Sequence, residues 1–223
     1  MRYKGRMRWL LLGALAALAA ACGGEPVPVA PITLQRRPGR PGDRVLVRIE
    51  HTRINQVSPH QAVEVSKKGH YVDEAQPEAR VIRVGSFDGE EIRLELKRRD
   101  GHLISELGER SDEFEQFEGL LPTRPVRPGD RWQARDFWGT WGRLPFGAPK
   151  LRRVKAACVY RGQADGVATI HVEILAQTVK GPWALEGDLA YDREAEMLVR
   201  VELRGTGEDL RHVMTAEREL LDR

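Results

Sequence analysis

The sequence predicts a mainly β fold: an antiparallel, strongly curved sheet or incomplete barrel carrying one short helix. Three observations lead there. Apolar residues recur with a period of two along most of the chain, turn dipeptides fall between the periodic runs, and only one segment has helical spacing. Strict alternation marks half-buried strands, with one face on a core and the other in water.

The chain opens on a different kind of segment. Arg2, Lys4, Arg6 and Arg8 precede an apolar run from Trp9 to Ala21, with no acidic residue among them. A bilayer-spanning helix needs roughly 20 apolar residues, so this run is too short to span and reads as a secretory signal. Ala19, Ala20 and Ala21 stand directly before Cys22. Leu18-Ala19-Ala20-Ala21-Cys22 resembles the lipobox of bacterial lipoproteins, in which the cysteine is lipidated and begins the mature chain. The usual pattern has Leu three positions before Cys; here that position is Ala19, with Leu18 one step further out. The resemblance implies a membrane anchor at Cys22, carried by acyl chains such as palmitate. Two or more chains give stable anchoring where one is marginal. Gly23, standing where Asp would signal retention at the inner membrane, implies by the same resemblance an outer-membrane destination, at the periplasmic face.

Charge excludes one class of partner. The whole chain is formally +3, but four of its 36 Lys and Arg precede Cys22. The remaining 32 basic residues face 33 acidic ones, a balance of −1. A nucleic-acid footprint needs a net basic face, so no nucleic acid is expected.

Residues 22–41 contain Pro26, Pro28, Pro31, Pro38 and Pro41, a composition that favours extended conformations and reads as a tether. Residues 42–223 suit one β-rich domain. Within it Val45, Val47 and Ile49 alternate with polar residues, as do Ile92, Leu94 and Leu96. So do Ala168, Ile170, Val172 and Ile174, and later Met197, Val199, Val201 and Leu203. Asp88-Gly89 and Asp165-Gly166 mark hairpin turns. The helix is expected from about Asp112 to Leu121, capped by Ser111 or Asp112 and stopped by Pro122. Phe114 and Phe117 share its sheet-facing side. Lys97-Arg98-Arg99-Asp100 reads as a solvated hairpin tip. Arg40-Pro41-Gly42-Asp43-Arg44 recurs as Arg127-Pro128-Gly129-Asp130-Arg131, each time before a strand, which is the mark of two similar halves or of a turn repeated by chance.

An exported tether followed by alternating strands and few helices is similar to the half-barrel lipoproteins that carry lipid. The stretch Leu121-Pro122 to Trp132, with Pro125-Val126-Arg127-Pro128-Gly129-Asp130-Arg131 inside it, also resembles a motif of bacterial lipoproteins. Neither resemblance carries a functional residue onto this chain.

The residues with most to offer a ligand are Trp132, Phe137, Trp138, Trp141 and Phe146, interleaved with Gly and Pro. They hold three of the four Trp that follow Cys22. Such a segment either plugs the end of the sheet as core, lines the mouth of an apolar pocket, or offers a patch to a partner. The other chemistry is sparse. The six histidines show no i, i+4 pair of the kind that binds zinc, so no metal and no cofactor are expected. His171 and Glu173 share one strand face, too few ligands for a site. There is no Gly-x-Ser-x-Gly elbow or phosphate-binding glycine loop, and no catalytic residue is assigned. Asp130 and Asp136 flank the aromatic segment as the one carboxylate pair to inspect, with turn duty the ordinary explanation. Cys158 lies in a strand-like run and reads as a small buried hydrophobe.

These features point to a non-catalytic binding lipoprotein for an apolar ligand or an envelope protein partner. The alternatives are a scaffold lipoprotein that contacts other envelope proteins, and an envelope hydrolase.

Overall fold

The computed structural model describes residues 29–37, 39–58, 61–99, 102–105, 114–135, 152–177, 181–207 and 210–221. One compact unit runs from Pro31 to Arg223. Its strands are β1 (Arg44–Ser58), β2 (Gln61–Ala75), β3 (Arg80–Phe87), β4 (Glu90–Arg99), β5 (His102–Ser105), β6 (Arg131–Arg135), β7 (Arg152–Ala164), β8 (Val167–Gln177), β9 (Pro182–Asp192), β10 (Met197–Gly207) and β11 (Leu210–Leu221). All pair antiparallel into a single 11-stranded sheet that does not close into a barrel. The strand order is β5-β4-β3-β2-β1-β11-β10-β9-β8-β7-β6.

Asp88 and Gly89, both at positive φ, join β3 to β4, and Asp165 and Gly166 join β7 to β8 in the same way. Two consecutive residues at positive φ make the mirror-image turn that matches strand twist. The β1–β11 pairing, from Arg44↔Leu221 to Asn55↔Leu210, ties the start of the sheet to its end. Two aromatic rings lie directly over glycines on neighbouring strands, Phe87 over Gly69 and Trp183 over Gly207, where a Cβ would strike the ring. Side-chain-free positions of this kind let a sheet bend inward.

Period-two parity assigns the faces correctly. Ala168, Ile170, Val172 and Ile174 are fully buried along β8, and Val47 and Ile49 are buried along β1. In β10 the register shifts between Leu198 and Arg200, so Leu198 takes the buried place that alternation gave to Val199. Cys158 is buried on β7, and burial alone pushes its thiol up to about 12.

The strand order has one large consequence. β5 and β6 follow one another in sequence yet sit at opposite edges, so their connection must travel from one edge to the other. Its described part, Phe114 to Asp130, packs on the inner face, where Phe114, Phe117, Leu120 and Val126 join the main core cluster. The expected ten-residue helix is here a single helical turn, Glu115–Glu118, within that connection; residues 111–113 lie outside the described residues. Glu118 N donates to the Phe114 carbonyl, and Leu121 N to the Glu118 carbonyl as the chain turns before Pro122. Phe114 and Phe117 do face the sheet, as their spacing implied.

A second strap crosses from the N-terminal side. Ile32 and Leu34 are buried in the main cluster, and Ile32 exchanges backbone hydrogen bonds of 2.9 and 2.8 Å with Val126. The domain thus begins at Pro31, and residues 31–41, assigned from composition to the tether, belong to it. Their two large aliphatic residues are the physical reason. Among the described residues no helix is long and apolar enough to cross a membrane.

Candidate functional site

The repeated Arg-Pro-Gly-Asp-Arg segment forms the same turn twice. Gly42 and Gly129 both hold φ near +90°. Arg40 N donates to Asp43 Oδ2 at 2.8 Å, and Arg127 N to Asp130 Oδ2 at 2.9 Å. Each turn also docks its strand: Gly42 N donates to the Ala75 carbonyl, and Gly129 N to the Tyr160 carbonyl. Asp130 is therefore a turn residue, and Asp136 lies outside the described residues. Asp88-Gly89 follows the third strand after the first of these turns and Asp165-Gly166 the second strand after the other, so the two hairpins stand at different places in the strand order.

Beside the first of these turns the inner face opens into a cleft enclosing a cavity of about 90 Å³. Its walls are apolar: Val45 and Val47 from β1, Val81 from β3, Leu103 from β5 and Leu220 from β11. Around them stand Arg36, Arg37, Arg98, Arg218, Asp43, Asp73 and Glu118. These charges are ordered by short ion pairs. Glu118 accepts from Arg218 Nη2 at 2.7 Å and is ion-paired with Arg36, whose Nη1 lies 2.9 Å from Oε2, with Glu118 and Arg218 both nearly buried. Arg37 Nη2 donates to Asp43 Oδ2 at 2.7 Å. Arg83 grips Asp73 through both oxygens, at 2.7 and 2.8 Å, with its guanidinium 3.7 Å over the Tyr71 ring. Bidentate geometry of this sort orients charges as well as binding them.

Of the sequence-predicted site only Trp132 lies among the described residues, and it is not part of the cleft lining. Trp132 lies on β6, half-buried against the core, and its indole N–H donates to the Leu120 carbonyl at 2.8 Å. This is the plug alternative for that residue, with the connector as its partner. Phe137, Trp138, Trp141 and Phe146 lie outside the described residues. Cys22 does too.

Sequence reasoning passed over the cleft because its charged members looked like surface. Arg98 belongs by composition to a solvated hairpin tip, yet it shares inward parity with Ile92, Leu94 and Leu96. Arg218 likewise continues the parity of Met214 and Ala216. A charge on the apolar parity of a strand was the available signal.

A second polar group is buried at the other end of the inner face. His51 Nε2 and His212 Nδ1 are 3.3 Å apart with stacked rings, and Trp183 meets His212 edge-on. One nitrogen donates and the other accepts, so a second proton would set two donors against each other. Burial, with the neighbouring His212 and Arg53, holds His51 down at about 4 rather than 6.5. Since the unfolded chain takes up this proton first, stability is complete above pH 6.5 and falls toward pH 4. The loss over that window is about 3 kcal/mol. Urea unfolding at pH 7 and pH 4.5 should show it, and His51→Gln should flatten the difference; an unchanged slope in that variant would assign the loss to other groups. His171, by contrast, is on the wet face, where its Nδ1 meets Asp188 Oδ1 at 3.0 Å. Among the described residues no cluster of three or more His, Cys, Asp or Glu side chains is placed to hold a metal ion.

A scan against protein-family models finds no match to this chain, and a search among curated proteins finds none either.

Proposed function

We propose that this protein is a non-catalytic binding module, held through lipidated Cys22 at the periplasmic face of the outer membrane, that receives part of a small amphipathic ligand in the inner-face cleft. The observation that carries the reading is the cleft itself, apolar in its walls and charged around its rim. Sites for small ligands have this make-up, with apolar lining and a few placed polar groups. The signal-like start and lipobox resemblance supply the address.

Volume limits the ligand. Drug-sized molecules occupy pockets of roughly 300–1,000 Å³, whereas this cavity is about 90 Å³. One end of a molecule enters it, and the remainder lies outside. Native mass spectrometry of the full chain, released from membranes in neutral detergent, tests the reading. A bound small amphiphile is expected, and Ala75→Phe, which adds a ring at the cleft lining and deletes none of its charged side chains, should remove it. An adduct that survives Ala75→Phe would overturn the cleft as its site.

One observation favours the second reading, a structural lipoprotein of the envelope. The sheet does not close into a barrel, and among the described residues its last strand, β6, pairs on one side only. An open edge is a template for a partner's strand. Absence of any adduct, together with a partner lost on Gln133→Pro, would favour that reading.

A further inference from the structure

We infer that the open edge of β6 docks an acidic, extended segment of a partner protein, which adds to the sheet as a further strand. The inference rests on the edge reading above, is independent of the cleft, and supplies the partner's chemistry.

The backbone makes one half of the case. Tyr160 N donates to the Asp130 carbonyl, and from there β6 and β7 run in antiparallel register, Arg131↔Val159 to Arg135↔Lys155. In such a ladder, residues bonded to the neighbour alternate with residues whose N–H and C=O point away. Arg131, Gln133 and Arg135 therefore turn these groups to the open side. A row of this kind is what an incoming extended chain pairs with. Side chains alternate with it: Trp132 and Ala134 pack against the core, whereas Arg131 and Gln133 are exposed.

Charge makes the other half. β6 and β7 contain Arg131, Arg135, Arg152, Arg153, Lys155 and Arg161, and neither strand has an Asp or Glu. The chain after Cys22 is close to balance, so the concentration is local. Arg131, Lys155 and Arg161 are exposed, and none of the three has an ion pair among the described residues. Elsewhere on the wet face cations are answered from neighbouring strands: Lys68 by Glu50 at 2.9 Å, Arg48 by Glu219 at 3.6 Å and Arg80 by Glu95 at 3.7 Å. At the β6 edge the answering strand is missing.

Opposite charges facing each other across a strand pair stabilise it, and like charges oppose it. A second copy of β6 would set arginine against arginine, so the occupant is acidic and comes from another protein. Its pattern follows from parity. Carboxylates alternate along its wet face, and apolar residues between them continue the inner face beside Trp132 and Ala134.

The full chain in neutral detergent is titrated with a short, labelled, end-blocked peptide of alternating Glu and Val, and with its Lys and Val counterpart, by fluorescence anisotropy. The acidic peptide should bind and the basic one should not. Gln133→Pro removes an edge N–H without taking a bond from β7 and should abolish binding; Gln133→Ala keeps that N–H and should leave binding unchanged. Arg131→Glu together with Lys155→Glu should weaken it about tenfold. Unfolding midpoints of the variants exclude loss of the fold. Equal binding of both peptides, lost on Gln133→Pro but indifferent to charge reversal, overturns the acidic partner and leaves the edge reading standing. Binding lost on charge reversal but kept in Gln133→Pro overturns strand addition, and matching capture by phosphatidylglycerol vesicles then assigns the basic edge to an anionic membrane surface. If neither peptide binds, the inference falls, and the partner lost on Gln133→Pro still decides the edge reading.

Discussion

Glu118→Ala should be among the most damaging single changes to this protein, lowering its stability by about 3–5 kcal/mol. Glu118 is almost enclosed and holds two arginines, Arg218 at 2.7 Å and Arg36 at 2.9 Å. Arg218 is as buried as its partner, and its Nε donates to the Leu198 carbonyl. Removing the carboxylate strands a positive charge that cannot reach water, and that penalty dominates the loss. The pair also joins three distant parts of the chain: the connector, the N-terminal strap and β11. Urea unfolding of the variant measures the effect. An exposed pair supplies the control, since Arg48 and Glu219 are each more than half exposed at 3.6 Å. Arg48→Ala should cost under about 1 kcal/mol. A loss at Glu118 no larger than this control would show that the connector is not clamped by charge.

Phe114→Ala should cost a comparable amount, about 3–5 kcal/mol, through the cavity it leaves. Its ring is fully buried and belongs to the main core cluster. The same ring lies 4.5 Å beneath the Arg218 guanidinium, so it also floors the ion pair. Typical domains hold only about 5–15 kcal/mol in total, and either change removes a large share of that. Because Phe114 and Glu118 both contact Arg218, their effects should not add. The double variant should fall short of the sum by about 0.5–3 kcal/mol. Full additivity would mean that ring and carboxylate act independently, contrary to the contact through Arg218.

The strands were legible for a simple reason. In a sheet with one covered face, each residue's parity sets its environment, and the sequence records parity directly. Ala168 through Ile174 needed nothing else. The pattern held even for Leu94, which faces inward but stays substantially exposed near the sheet edge. Local chemistry was equally readable in the turns, where Gly42, Gly129 and the two Asp-Gly pairs hold the positive φ that they were expected to supply. Where the reading failed, the competing effect was tertiary. The helix expected over ten residues keeps one turn among those described, because the connector is drawn across the sheet by its two ends. The tether lost residues 31–41 because Ile32 and Leu34 found a core that composition alone does not reveal.

Of the candidate site, only the raw materials could be seen. Arg36, Arg98, Glu118 and Arg218 lie in four unrelated segments, with no spacing to connect them. The five aromatics chosen from sequence were conspicuous through composition, and the one that is described, Trp132, packs as core.

The sequence by itself determined the mainly β class, the faces of its strands and the chemistry of its turns. These depend on neighbours one to three residues away, so short-range pattern is enough. The tertiary structure alone decided the strand order, the pairing of β1 with β11, and the passage of the connector over the inner face. Each depends on contacts between residues up to 177 positions apart, as in Arg44↔Leu221, and an alternating strand looks the same whichever partner it finds. The arginine-lined cleft exists because those distant choices bring two straps and seven strands together.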